Sequence, residues 1–248
     1  MKKSIFFILF LTGIHFASAQ EFPKDIFPTT HGELTISFIG HASLMFIWND
    51  MVMYVDPVMR EADFNQFPEA DVIFITHHHG DHLDKTAIKA LMKDSLRIIM
   101  PEKVSEQVFE MDISHKNILG EWESVAFNQL ECEAIPAYNI EHTRENGEPY
   151  HPRGVGVGYV IRFGNFRVMI GGDTENIPEY ARLQSYNIDA AFLPMNLPYT
   201  MTPEMVAAAA RMIQPIILYP YHYGNTDTDR LLEIMRENQG IEVRIRSF

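Results

Sequence analysis

The chain has 248 residues, a formal net charge of −13, and 46% hydrophobic against 21% charged residues, the balance of a chain that buries a sizeable core. That composition excludes a disordered, collagenous or coiled-coil chain. The acidic surplus excludes a nucleic-acid binder that tracks phosphates, because such a surface needs clustered lysine and arginine.

Residues 1–19 read as a secretory signal peptide. Lys2 and Lys3 give a positive start, Ile5–Leu11 is apolar, and Ala17-Ser18-Ala19 offers a small-residue cleavage site ahead of Gln20. The apolar run is too short to span a bilayer, which takes roughly 20 residues. Residues 20–248 are therefore expected as a single exported domain, periplasmic or extracellular, with no stable membrane span. Cys132 is the only cysteine, so no intrachain disulfide forms. It sits inside a strand pattern with no cation beside it, which argues against a nucleophile.

Leu34–Ile39, Ser43–Trp48 and Met51–Val55 predict three consecutive strands, turned at Gly40-His41 and Asn49-Asp50. Val72–Thr76 predicts a buried strand, and Asp84–Lys93 a helix capped by Asp84. Arg97–Met100 reads as a strand and Glu102–Met111 as a helix. Leu130–Ile135, Gly158–Phe163 and Phe166–Ile170 read as strands, the last two a hairpin through Gly164-Asn165. Ile177–Tyr186 predicts a helix and Ala190–Leu193 a strand. Pro203–Ile213 is the clearest helix, with Thr202 as N-cap and Pro203 at its first position. Ile216–Tyr219, a helix over Asp227–Asn238 and a strand over Glu242–Arg246 complete the chain. This order fits one α/β domain with helices covering sheet faces. Residues 138–157 stand apart as a long, aperiodic loop, the kind that usually carries function.

The chemistry concentrates in Thr76-His77-His78-His79-Gly80-Asp81-His82, directly after the apolar run Val72–Ile75. A borderline-soft divalent ion takes imidazole nitrogens and carboxylate oxygens. Residues two apart on an extended segment point the same way, so His77 and His79 can share one ion. The turn at Gly80 can present Asp81 and His82 to a second. A polar surface loop is the bland alternative, and it does not account for four histidines in six positions at the end of a buried strand.

This His-x-His-x-Asp-His run resembles the signature of the metallo-β-lactamase superfamily. Tyr54-Val55-Asp56-Pro57 resembles its first motif, Ile170-Gly171-Gly172-Asp173-Thr174 its Gly-Asp-Thr motif, and Tyr219-Pro220-Tyr221-His222-Tyr223-Gly224 its last motif. Gly40-His41-Ala42-Ser43 and the early Asp-Pro look most like the lactonase-like and phospholipase-D-like branch. The resemblance spans about residues 34–246. It implies an αββα four-layer sandwich holding two divalent ions, zinc first, with manganese or iron(II) suited to the same donors.

The resemblance further implies hydrolysis of an ester, lactone or phosphodiester by a metal-bridging hydroxide. His77, His79, Asp81, His82, Asp173 and His222 would be ligands, with Asp173 between the ions. Asp81 would also orient the hydroxide, and Asp56 would tune a ligating histidine from behind. His41 reads as a turn or supporting residue rather than a ligand. A di-iron oxygen-reducing relative typically has Glu where this chain has His79, which favours hydrolysis.

One ligand departs from the pattern. Relatives carry a third histidine for the first ion where this chain has Tyr138. His142 and His151 follow, and His151 is favoured because His151-Pro152-Arg153-Gly154 is stiff and leads into a strand. The alternatives are His142, or neither, the last leaving a mononuclear or non-catalytic metal-binding protein. Tyr138, Arg153, Tyr199 and Tyr223 are candidates to contact a small-molecule substrate. No nucleic-acid partner is expected, and the sequence carries no oligomerisation signal.

Overall fold

The structure, a computed structural model, describes residues 21–238 and 240–246. The signal peptide expected over residues 1–19 lies outside them. Among the described residues, fourteen strands build two seven-stranded sheets. The first contains, in spatial order, β1 (Lys24–Thr29), β2 (Gly32–Gly40), β3 (Ser43–Trp48), β4 (Met51–Val55), β5 (Val72–Phe74), β6 (Arg97–Met100) and β7 (His115–Ile118). The second contains β8 (Ser124–Phe127), β9 (Leu130–Ala137), β10 (Gly156–Phe163), β11 (Phe166–Ile170), β12 (Ala190–Pro194), β13 (Ile217–Tyr221) and β14 (Glu242–Val243).

The two halves of the chain share one plan. Four antiparallel strands, β1–β4 or β8–β11, are followed by parallel strands, β5–β7 or β12–β14. Helices α1 (Lys85–Ala90) and α2 (Glu102–Val108) pack on the outer face of the first sheet, with Ala87, Ile88 and Val104 against Tyr54, Ile73 and Ile98. Helices α3 (Tyr180–Leu183), α4 (Pro203–Ile213) and α5 (Thr228–Met235) cover the second. The result is the four-layer αββα sandwich that the resemblance implies.

Alternation along the strands sets these layers. Successive side chains point to opposite faces, so Met53 and Val55 join the core between the sheets while Tyr54 faces the helices. The inter-sheet core is aromatic, with Phe38, Phe46, Trp48 and Phe74 meeting Tyr159, Phe163, Phe192 and Tyr219. Phe192 and Tyr219 stack with centroids 4.8 Å apart. Each such fully buried ring contributes on the order of 1.5–3 kcal/mol from area alone. Asn49 and Asp50, with φ of 50° and 61°, form the two-residue turn whose twist suits a hairpin. Asp84 caps α1 through Thr86 and Ala87, and Thr202 caps α4 through Met205.

Some boundaries differ from the sequence reading. The strand read as Val72–Thr76 leaves its ladder after Phe74, because the Thr76 amide turns to the Asp56 carboxylate. The helix read as Ile177–Tyr186 is reduced to α3 and a 3-10 turn over Gln184–Tyr186. Strands β1, β7 and β8 were not legible, and all three are sheet edges. Cys132 is buried in β9, and burial pushes its thiol well above the usual range, so it stays protonated.

Asp25 on β1 joins the two sheets. It accepts from Arg246 at 2.7 and 2.8 Å, from Arg244 at 3.1 Å and from the Tyr219 hydroxyl. Burial alone would raise this carboxyl, but those hydrogen bonds outweigh it and hold the group below its ordinary 3.8. A lowered folded-state value adds stability that is present above the ordinary value and lost as the pH falls through the lower one. Asp25→Asn is expected to lower stability at neutral pH by about 1–3 kcal/mol. The wild-type and variant urea curves are expected to converge as the pH drops below the ordinary carboxylate range.

Candidate metal centre

The parallel strands of both sheets end on the same side of the sandwich, and the polar residues leave from those ends. Asp56 follows β4, residues 77–82 follow β5, Asp173 follows β11 and His222 follows β13. Open α/β sheets place their sites at such carboxyl ends. Two antiparallel connections reach the same side. His41 sits in the β2–β3 turn with φ 51°, and His151 sits in the long β9–β10 connection.

Tight backbone contacts seat these residues. Tyr159 from the second sheet donates to Ile75 O at 2.7 Å, fixing the exit of β5. Val157 N donates to Thr76 O at 2.9 Å. Gly156 lies under His77, where a Cβ would come within 2.9 Å of the His77 Cβ. Gly172, at φ 64°, brings Asp173 into place, and a Cβ there would meet Val157 O at 2.8 Å.

The side chains converge in two groups around Asp173. His77 Nε2 and His79 Nδ1 stand 3.1 Å apart, with His151 beside them. Two nitrogens on one tetrahedral zinc are separated by about 3.3 Å, so the His77–His79 pair has the spacing of shared ligands, and one ring nitrogen of His151 lies within 4.8 Å of both. Asp81 Oδ2 lies 3.6 Å from His222 Nε2 and 4.0 Å from His82 Nε2. His41 Nε2 lies 3.2 Å from the same oxygen, and its ring packs on His222 at 3.7 Å. Asp173 straddles the groups. Its Oδ2 faces His151 at 3.1 Å and His77 at 3.8 Å, and its Oδ1 faces His82 at 3.4 Å and His222 at 3.6 Å.

The hydrogen bonds behind these residues aim them inward. Asp56 is fully buried and accepts from Thr76 N at 2.8 Å, Thr76 Oγ1 at 2.6 Å and His82 Nδ1 at 2.8 Å. With a proton held on Nδ1 by Asp56, His82 turns its Nε2 to the Asp173 carboxylate, as the nitrogen a cation would take. Nε2 of His82, both ring nitrogens of His222 and Oδ1 of Asp173 are buried with no hydrogen-bond partner. Buried polar atoms are rarely left so. His82 Nε2 and His222 Nε2 both face Asp173 Oδ1, and the lone pairs these three atoms can offer fit a cation.

Charge agrees with that fit. Burial first, then His151 and His78, push His79 down to about 4, so its lone pair is free. Burial also holds His77 well below the ordinary value. Burial would raise Asp81 and Asp173, but surrounding histidines outweigh it and keep both ionised. Burial would lower His82, yet the Asp173 and Asp56 carboxylates push it up to about 9. A cation at its Nε2 must displace a proton. Affinity there is expected to fall about tenfold per pH unit below 9. Calorimetric titration with zinc in buffers of different ionisation enthalpy checks the released proton.

The other sequence candidates lie elsewhere. His142 Nδ1 pairs with the buried Glu175 at 2.7 Å. The Tyr138 hydroxyl donates to Glu179, and Arg153 pairs with Glu121 and Glu179 while lying 4.9 Å over the Tyr138 ring. Tyr223 donates to Arg246 O at 2.7 Å. Tyr199 is 45% exposed and packs edge-on against Tyr150 at 5.1 Å. Tyr150 itself lines the cleft beside His77, His79, His151 and Asp173. The sequence reading did not single out Tyr150, Asn139 or Glu175, and it placed His41 in the turn without its contact to Asp81.

The profile of a family described as the beta-lactamase superfamily domain matches residues 35–222. The chain is 24% identical over 196 residues to the UPF0173 metal-dependent hydrolase of Methanopyrus kandleri, covering 77% of this chain and 84% of that one. A crystal structure of a proposed metal-dependent hydrolase from Parabacteroides distasonis is 44% identical, with a TM-score of 0.85 over 92% of this chain and 100% of that one. The diiron beta-hydroxylase CmlA of Streptomyces venezuelae is 16% identical, with a TM-score of 0.69 over 88% of this chain and 54% of that one. That last likeness concerns the fold alone.

Proposed function

The chain belongs to the beta-lactamase superfamily domain family, and from that premise we propose that it is an exported metal-dependent hydrolase holding two divalent ions. Its relatives from Methanopyrus kandleri and Parabacteroides distasonis carry hydrolase descriptions, which supports the reaction class. The observation that carries the two-ion reading is the Asp173 carboxylate, one oxygen toward His77 and His151 and the other toward His82 and His222. His77, His79 and His151 would hold one ion, and Asp81, His82 and His222 the other, with Asp173 between them. Zinc suits this set of donors. The substrate would be a small molecule with an ester, lactone or phosphodiester bond.

Ions bound there would lower the pKa of a shared water toward neutrality and polarise the scissile group. The residues around them have separate tasks. Asp81 is the most exposed of the carboxylates, at 34% of its side chain, so it is the one able to orient a water. Asp56 is fully buried behind His82 and acts by holding that ring. The reading of a decayed first site rested on Tyr138. That ring turns to Glu179 and leaves the position beside His77 and His79 to His151. Export rests on the signal peptide read over residues 1–19. No helix among the described residues is long and apolar enough to cross a membrane.

Elemental analysis of the chain starting at Gln20 tests the reading. About two ions per chain, falling to about one in His151→Ala and unchanged in His142→Ala, is the expected result. About one ion, unaffected by either substitution, overturns it. A panel of phosphodiesters and lactones then sorts the substrate bond.

A further inference from the structure

The β9–β10 connection is fastened by a carboxylate that belongs to neither group of candidate ligands. Glu175, two residues beyond Asp173, is 1% exposed. Its Oε2 accepts from Ile140 N and Glu141 N, both at 2.7 Å. Its Oε1 accepts from His142 N and His142 Nδ1 at 2.7 Å and from Asn139 Nδ2 at 2.9 Å. Asn139 continues inward. Its Nδ2 also donates to Tyr199 O at 2.9 Å, and its Oδ1 accepts from His151 N at 2.8 Å and His151 Nδ1 at 2.6 Å. The backbones close the ring, with Asn139 N donating to His151 O at 2.9 Å.

These contacts fix the amide without ambiguity. The Glu175 carboxylate and the Tyr199 carbonyl only accept, so the atom facing them is the amide nitrogen. Oδ1 therefore faces His151, and His151 carries its proton on Nδ1. Its Nε2 is then the nitrogen turned inward, 3.1 Å from Asp173 Oδ2. A proton on Nε2 or a cation held by both groups satisfies that contact, and the neutral ring offers the cation its lone pair.

We propose that Asn139, clamped by Glu175, is the positioning residue that selects the His151 tautomer and turns Nε2 toward the metal. The assignment rests on the two-ion reading above, with His151 as a ligand. It explains how a histidine from the middle of a long connection is held in register. Asn139 stands at the strand end, next to Tyr138, and the ligand comes from twelve residues later in the chain.

The test uses zinc affinity by chelator competition, together with long-range 1H–15N NMR of the zinc-loaded wild-type chain. Asn139→Leu keeps the bulk and removes the acceptor. Zinc affinity at one position is expected to fall about 10–100-fold, with the other within twofold. Glu175→Gln is expected to shift the same position in the same direction by less. NMR is expected to show the His151 proton on Nδ1. Two ions in the wild type with unchanged affinities in both variants, or a proton on Nε2, overturns the assignment and leaves the two-ion reading intact. Fewer than two ions in the wild type overturns that reading, and the proton position alone then decides Asn139. Should Asn139→Leu not fold, the wild-type NMR result decides as well.

Discussion

Asp173→Ala is expected to weaken zinc binding at both candidate positions at once. The loss should exceed the roughly 10–100-fold that follows removal of an outer hydrogen-bond partner, because this carboxylate faces four imidazoles from the inside. Elemental analysis should fall from about two ions per chain to well under one, and hydrolysis should fall with it. Loss of one ion with the other retained would show that Asp173 serves a single ion. The metal-free variant offers a second reading. Asp173 is the strongest of the charges that raise His82, so Asp173→Asn should lower the His82 titration from about 9. NMR titration of the ring checks the direction.

Asp56 separates stability from metal binding. Asp56→Ala leaves Thr76 N, Thr76 Oγ1 and His82 Nδ1 without their acceptor in a fully buried place. The expected cost is about 3–5 kcal/mol in denaturant unfolding, the size seen when a buried pair loses one partner. Asp56→Asn keeps the shape and tolerates the φ of 44° found there. One amide atom must accept from Thr76 N, so the other presents N–H to His82. The neutral His82 ring would then carry its proton on Nε2, the atom that would bind metal. The variant should fold with a smaller loss of stability, yet bind zinc at that position about 10–100-fold more weakly. Equal zinc affinity in wild type and Asp56→Asn would show that the tautomer of His82 is not set by this carboxylate.

The core strands were legible because their two faces are unambiguous. Ser43–Trp48, Met51–Val55, Arg97–Met100 and Phe166–Ile170 have the bounds that their apolar runs indicate. The strands that escaped notice are edges. β1 contains Pro28, and β7 and β8 have mostly exposed or half-buried side chains, so their pairing comes from a neighbour rather than from their own pattern. The site divides the same way. His77, His79, Asp81, His82, Asp173 and His222 all lie within a few residues of the end of an apolar run, which gives position as well as identity. Asn139 and Glu175 do not carry that mark. An asparagine and a glutamate in polar loops look like solvated residues until the structure brings them against His151. His41 showed as a turn residue because its left-handed backbone is local, whereas its contact with Asp81 crosses the sheet.

The shared plan of the two halves has a consequence for how the chain matures. Under the two-ion proposal each ion would take donors from both: His77 and His79 with His151, Asp81 and His82 with His222, and Asp173 with each. On the proposed two-ion reading neither sheet alone would bind as the whole does, so high-affinity zinc uptake would report the docking of one sheet on the other. A bound ion would in that sense be a rivet through the sandwich, and a chelator would pull at the seam between β1–β7 and β8–β14 before it touched either sheet. A polypeptide severed between His115–Ile118 and Ser124–Phe127 would need its two fragments to reunite before zinc could be held tightly, which makes the metal a sensor of their complementation.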